Sequence, residues 1–141
     1  MIWGFRTAMG WRDERGTNLL DSAAHFNHSH ETGDGKYVAL GAIEPQFYAA
    51  FRRAAGIAHE LAFDAQKDPV AWGPLKARLA ALFRTRTRDE WCALMDSEDA
   101  CLAPVLSMAE APDHPHNRAR GAFVEREGVI QPAPAPRFSS I

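Results

Sequence analysis

Residues 34–55 read DGKYVALGAIEPQFYAAFRRAA, and the hydrophobic period of this stretch changes in its middle. Asp34 and Gly35 favour a tight type I′ hairpin turn, because an Asp-Gly pair accepts the positive φ angles that this turn requires. The apolar residues that follow predict a strand. Pro45 then suits the first turn of a helix, and the aromatic residues after it recur on one helical face. We therefore predict a strand that runs directly into a helix, with Glu44 at the junction.

Two more helices are predicted further along the chain. One covers residues 70–83, because its leucines recur at i, i+4 and i+7, and we expect Pro74 in its first turn. The other begins at Thr87, which forms a capping box with Glu90. The residues expected to form the buried stripe of this last helix are Trp91, Leu94 and Met95.

The remaining segments predict short strands. Residues 101–106, CLAPVL, are apolar but interrupted by proline, which suits an edge strand. The stretch 121–133, centred on Gly128, predicts another hairpin. The fold class that follows is α+β, with a small antiparallel sheet and several helices.

We expect this α+β domain to cover residues 15–130. Residues 1–14 are predicted to be the end of a helix or a linker, because an apolar helical face begins there without a cap. Residues 131–141 contain QPAPAP and predict a Pro-rich linker tail. These two ends are what we expect of a domain cut from a longer chain.

Composition excludes several classes of function. The chain has 141 residues, 46% of them hydrophobic, which suits one domain with an ordinary core. Sixteen Lys and Arg against eighteen Asp and Glu leave no positive excess for nucleic acid. No apolar run is long enough for a membrane span, and no secretory signal is recognisable. Two cysteines, Cys92 and Cys101, suit reduced thiols in a cytoplasmic protein.

Six histidines raise the hypothesis of a metal site. His28 and His30 alternate on a predicted strand, and His114 and His116 repeat that spacing. A structural zinc site requires four ligands, and the sequence has no Cys-x2-Cys pair to complete one. We therefore expect solvated or hydrogen-bonded histidines, with neither a metal nor a cofactor.

Glu44 is the carboxylate with the most distinctive position. At the exit of a strand and the entrance of a helix, it is held rigidly and experiences the positive end of the helix dipole. Position alone favours an ordinary carboxylate at a helix start. A single carboxylate does not make an acid–base enzyme.

Four strings of the sequence are similar to consecutive blocks of a known family. They are RGTNLLDSAAHF, ETGDGKYVALGAIEPQFYAAF, DEWCALMDSEDACLAPVLS and HNRARGAF. Together they resemble the α-methylacyl-CoA racemases, which belong to the family III CoA-transferase superfamily. The blocks occur in the family's order, so the resemblance covers nearly the whole chain, and it implies the small α+β domain of these enzymes.

The resemblance also implies a reaction that this chain does not complete. The family epimerises 2-methylacyl-CoA thioesters of fatty acid metabolism by removing and returning the α-proton. Its CoA-binding domain and its catalytic His and Asp have no counterpart here, so we expect the chain alone to be inactive. The implied partners are an acyl-CoA thioester in the complete enzyme, and either a second copy in a homodimer or a complementing amino-terminal chain.

Two site residues follow from the resemblance. Glu44 matches the family's Glu beside the catalytic His, which implies an accessory role in orienting that His. Leu19 lies in the block that contributes to the acyl-chain surface, at a place where Met is usual. Residues 24–30 depart from the family's pattern, which puts the acyl-chain preference in doubt.

Three alternatives stay open at this point. In the first, the chain is a stand-alone dimerisation or interaction module that uses an aromatic surface of Trp3, Phe5 and Trp11. In the second, it is part of a family III CoA-transferase. In the third, it is a histidine-based metal binder.

Overall fold

The computed structural model describes residues 2–8 and 10–136, without the side chain of Ile2. It contains two compact units, residues 1–105 and residues 106–141. The domain limits at residues 14 and 130 stay a prediction, and the end of the predicted tail, residues 137–141, lies outside the described residues. Within the described part, no helix is both long and apolar enough to cross a membrane.

The first unit contains helices and a three-stranded sheet. Its elements are α1 (Ile2–Ala8), β1 (Asn27–Glu31), β2 (Tyr37–Gly41), α2 (Pro45–Ala54), a 3-10 turn (Leu61–Asp64), α3 (Pro69–Phe83), α4 (Arg88–Met95) and β3 (Leu102–Val105). The strand order is β1-β2-β3, and both pairings are antiparallel. β3 is thus an edge strand, as predicted, and it tolerates Pro104 for that reason.

The second unit is a short helical segment followed by a hairpin. Its elements are a 3-10 turn (Ala111–Asp113), α5 (Pro115–Ala119), β4 (Phe123–Arg126) and β5 (Val129–Pro132). β4 and β5 pair antiparallel around Gly128, whose φ is 79°. The predicted hairpin is confirmed, and so is the α+β fold class of the chain.

The turn between β1 and β2 differs from the predicted type I′. Gly35 has a φ of 73°, but Asp34 does not have a positive φ. The Asp34 carboxylate instead accepts hydrogen bonds from the Thr32 hydroxyl at 2.6 Å and from the Arg88 amide at 3.1 Å. Hydrogen bonding from Thr32 first, and then from the backbone, lowers the pKa of Asp34 despite partial desolvation. This aspartate therefore joins the hairpin to the start of α4.

The start of α3 also differs from the prediction. Asp68 is the N-cap and accepts a hydrogen bond from the Val70 amide at 3.0 Å, so the helix begins at Pro69. Pro69 occupies the first-turn position expected for Pro74, which lies inside the helix as its sixth residue. The prediction for Pro74 is wrong, because the sequence offers two prolines and the cap selects the first.

The capping box of α4 is confirmed. The Glu90 amide donates to the Thr87 hydroxyl at 3.3 Å, and the Thr87 amide donates to the Glu90 carboxylate at 2.8 Å. Trp91 and Met95 are buried as predicted. Leu94 is 37% exposed, so its predicted place in the buried stripe is wrong.

Two histidines lie inside the core of the first unit. His25 and His30 are 0% and 2% exposed. The Tyr48 hydroxyl donates to the Phe63 carbonyl at 3.2 Å, so it accepts from His25 Nε2 at 2.7 Å. His30 Nε2 donates to the His25 carbonyl at 3.2 Å. Mainly by desolvation, burial lowers the pKa of each histidine to about 4.

These buried histidines predict that the first unit loses stability in mild acid. An unfolded histidine titrates near pH 6.5, whereas the folded ones resist protonation until about pH 4. The contribution of the neutral rings to the free energy of unfolding is therefore complete at neutral pH. It is lost as the pH falls from about 6.5 to about 4. Between pH 7.5 and 5 we expect a loss of about 2 kcal/mol per histidine.

The measurement is urea unfolding followed by tryptophan fluorescence, since all four tryptophans belong to the first unit. His30→Gln should lower the stability at pH 7.5 but flatten its decline toward pH 5. The exposed His59 is the control, and His59→Gln should leave the decline unchanged. An equal decline in wild type and His30→Gln would contradict the prediction.

Candidate active site

Glu44 stands where the sequence placed it, between β2 and α2. It is the N-cap residue of α2, with extended backbone at φ −75° and ψ 143°. Its side chain makes no capping hydrogen bond to the helix and is exposed. The carboxylate is therefore presented outward from a rigid junction, next to the positive end of the helix dipole.

A cleft of about 750 Å³ opens in the first unit beside this junction. Ile43, the neighbour of Glu44, lines it, whereas Glu44 does not. Leu19 also lines the cleft. The cleft is therefore bordered by one predicted site residue, Leu19, and by the residue that precedes the other. The other lining residues are Phe5, Gly10, Trp11, Arg12, Gly16, Thr17, Asn18, Leu20, Ala23, Phe26, Lys67, Pro69, Trp72, Gly73 and Lys76.

The segment that carries Leu19 is held in place by Asn18. Asn18 is buried, and its side chain exchanges hydrogen bonds with the backbone N–H and C=O of Arg12 at 2.7 and 3.0 Å. Its side-chain and backbone N–H groups both donate to the Asp21 carboxylate at 2.7 Å. Asn27 donates to the Leu19 carbonyl at 2.9 Å. Leu19 thus sits on a wall that is fixed by polar bonds at its base.

Positive groups stand at the edge of this largely apolar cleft. Lys76 donates to the Ser22 carbonyl at 2.6 Å, and Lys67 and Arg12 are exposed lining residues. Two of the three aromatic residues of the predicted interaction surface, Phe5 and Trp11, also line the cleft, with ring centroids 6.4 Å apart. The cleft combines apolar walls with cations at its edge, which suits a ligand with an apolar chain and an anionic group.

The charge of the Glu44 carboxylate acts on the thiol of Cys101. Desolvation first, and then the carboxylates of Asp99 and Glu44, raise the pKa of the Cys101 thiol. The thiol therefore stays protonated at neutral pH, which does not suit a nucleophile.

The histidines do not assemble a metal centre within the described residues. His28 and His30 share one face of β1 as predicted, with ring centroids 5.0 Å apart. No group of three or more His, Cys, Asp or Glu side chains is placed to hold a metal in the part of the chain that the structure covers.

Sequence reasoning did not identify Asn18, Gln66 or Trp72 as important to the site. The Gln66 side chain donates to the backbone carbonyls of Ala42 and Ile43, immediately before Glu44. The backbone carbonyl of Gln66 accepts from Trp72 Nε1. All three act through contacts with residues that are several to many positions away. A single sequence without a contact pattern gives no indication of such partners.

The family follows from comparison with known sequences. The sequence profile described as "CoA-transferase family III" matches residues 3–140. The chain belongs to this family. It is 39% identical over 139 residues to the α-methylacyl-CoA racemase of Mus musculus and 38% identical over 137 residues to that of Homo sapiens. These matches cover 98% and 96% of this chain but 36% and 35% of the relatives, so the chain spans about a third of their length.

A solved structure supports the same fold. The orthorhombic crystal structure of Rv3272 from M. tuberculosis superposes with a TM-score of 0.62, covering 80% of this chain and 34% of that chain. The sequence identity is 14%, so this likeness concerns the fold alone. The family and the fold class predicted from the sequence are thereby confirmed.

The Asn18 hydrogen bonds predict that replacing this residue lowers the stability of the cleft wall. Asn18→Ala leaves the Arg12 backbone groups and the Asp21 carboxylate without these partners, and we expect a loss of about 2 to 3 kcal/mol. Thr17→Ala, which removes one exposed hydrogen bond to the Glu14 carbonyl, should cost less than about 1 kcal/mol. Urea midpoints from tryptophan fluorescence measure both variants. Equal losses would contradict the role assigned to Asn18.

Proposed function

We propose that this chain supplies the small-domain part of an α-methylacyl-CoA racemase-type active site. The observation that carries the proposal is the outward-facing carboxylate of Glu44 at a rigid junction beside an apolar cleft. It is supported by the 38–39% identity to two α-methylacyl-CoA racemases over almost the whole chain.

The reaction explains why a carboxylate is useful at this place. Epimerisation of a 2-methylacyl thioester requires removal of the α-proton from one face, stabilisation of the enolate and return of a proton to the other face. A histidine that takes up the proton becomes an imidazolium. A neighbouring carboxylate stabilises that cation and fixes the orientation of its ring. We assign this accessory role to Glu44, with the histidine supplied by polypeptide outside these residues.

The cleft is proposed to accept the acyl chain. Its volume of about 750 Å³ lies within the range of small-molecule sites. Leu19 and Ile43 provide branched apolar contacts, and Trp72 and Phe26 provide aromatic ones. The anionic CoA portion would then extend toward the cations at the edge of the cleft.

Deuterium incorporation tests this proposal. We expect the isolated chain to give no exchange of the α-hydrogen of a 2-methylacyl-CoA in D2O, followed by proton NMR. Mixing it with the part of the mouse racemase that it does not match should give exchange. Glu44→Gln should reduce the rate in the mixture by about 10- to 100-fold, because the imidazolium loses its counter-charge.

Glu125→Gln is the matched control, since Glu125 is an exposed glutamate in β4. It should leave the exchange rate within about twofold of wild type. Exchange by the isolated chain, or a Glu44→Gln mixture as fast as wild type, would contradict the proposal.

A CoA-transferase is the second candidate, because a Caenorhabditis elegans CaiB/baiF CoA-transferase family protein is 28% identical over 119 residues. Transfer would move CoA from one acyl group to a free carboxylate without α-proton exchange. The same mixture, supplied with a second carboxylic acid, distinguishes the two reactions by the formation of a new thioester.

Self-association is a further proposal, and it also tests the interaction-module alternative. Trp3 is 79% exposed, and its large apolar side chain would gain free energy by burial against another protein surface. Sedimentation of the chain should show a dimer that Trp3→Ser weakens. A monomer at all concentrations would leave the complementing chain as the proposed partner.

A further inference from the structure

Glu44 is connected to the protein interior through the two residues before it. Ala42 is fully buried, and its carbonyl and that of Ile43 lie beyond the end of β2. The Ile43 amide donates back to the Gly41 carbonyl at 2.9 Å, in a tight turn outside the regular ladder. The buried Ala42 carbonyl requires a partner at such a place, because an unpaired one costs about 1 to 3 kcal/mol, and the Ile43 carbonyl beside it is partly buried.

Gln66 supplies these partners from a distant loop. Its side-chain Nε2 donates to the Ala42 carbonyl at 3.2 Å and to the Ile43 carbonyl at 3.1 Å. A carboxamide nitrogen has two hydrogens, so one side chain can serve both acceptors. Gln66 is itself 8% exposed, and Trp72 Nε1 donates to its backbone carbonyl at 2.8 Å.

The second of these contacts acts directly on Glu44. The Ile43 carbonyl and the Glu44 amide belong to one planar peptide unit. Fixing the carbonyl oxygen therefore fixes the plane from which the Glu44 Cα extends. On the other side, the Glu44 carbonyl accepts from the Tyr48 amide at 3.1 Å, in the first turn of α2. Glu44 is thus held from both sides, while its carboxylate remains exposed.

We infer that Gln66 is a positioning residue, which sets the direction of the Glu44 carboxylate through its hydrogen bond to the Ile43 carbonyl. This inference rests on the proposed function of Glu44. It extends that function by connecting the carboxylate to α3 and to the wall of the cleft, through Gln66 and Trp72. A ligand that displaces Trp72 would change the support of the carboxylate.

The first test uses the chain by itself. Gln66→Met keeps the length of the side chain but removes both donors. We expect hydrogen exchange at the amides of Ile43 and Tyr48, measured by NMR, to become about tenfold faster. The Trp91 amide, which donates to the Thr87 carbonyl at the start of α4 and has no bond to Gln66, should be unaffected. Unchanged exchange at Ile43 and Tyr48 would overturn the inference.

The second test is a double-mutant cycle on α-hydrogen exchange in the mixture with the complementary part of the mouse racemase. Gln66→Met should reduce the rate at saturating substrate by about 10-fold, with KM changed less than about twofold. In the Glu44→Gln background the same substitution should reduce it less than about twofold. Ile57→Val, a core substitution that costs about 1 kcal/mol, controls for lost stability and should behave as wild type.

The outcomes separate the inference from the proposed function. Equal effects of Gln66→Met in both backgrounds, with Glu44→Gln strongly impaired, would overturn the positioning role but leave the role of Glu44. A wild-type rate in Glu44→Gln would instead remove the proposed function. The exchange measurement on the isolated chain would then still decide whether Gln66 holds the junction.

Discussion

The structure of the site depends on the passage from β2 into α2 through Ala42, Ile43 and Glu44. A strand pairs its backbone with neighbouring strands, and a helix pairs it within itself, so these three residues belong to neither pattern. The Ile43 amide bonds back to Gly41, the Glu44 carbonyl accepts from the first turn of α2, and the Ala42 and Ile43 carbonyls accept from the side chain of Gln66. Because the junction is fixed in this way, an exposed carboxylate can stand on it without its own hydrogen bond to the helix.

Aromatic packing in the core joins α2, the helix that follows the junction, to α3 and α4. Phe51 of α2 stacks on Phe83 of α3 at 5.9 Å, and Phe83 contacts Trp91 of α4 at 5.0 Å. His25 and His30 occupy the same interior as neutral rings. Hydrogen bonds offset part of the cost of burying these rings, as the bond between His25 Nε2 and the Tyr48 hydroxyl does. The free energy of unfolding of the first unit is therefore expected to be higher at neutral pH than in mild acid.

Local patterns in the sequence were sufficient for the strand–helix junction, the capping box of Thr87 and the edge position of β3. These features depend on neighbours within a few residues, which periodicity and capping rules describe. The type of the Asp34 turn depends on the Arg88 amide, 54 residues away, and the position of Pro74 depends on which of two prolines follows the cap. Gln66 was missed for the same reason, since its acceptors on Ala42 and Ile43 lie 24 and 23 residues away. The partners of Asn18 lie within six residues, but in an irregular segment that periodicity and capping rules do not describe. The exposure of Glu44 likewise had to come from the structure.

The central claim is that the Glu44 carboxylate orients a histidine that lies outside these residues and stabilises its protonated form. The most direct measurement is a crystal structure of the chain in complex with the complementary part of the mouse racemase. The account predicts one Glu44 carboxylate oxygen within about 3 Å of an imidazole nitrogen of the other polypeptide. A complex in which this carboxylate faces bulk solvent, or meets no histidine, would contradict it.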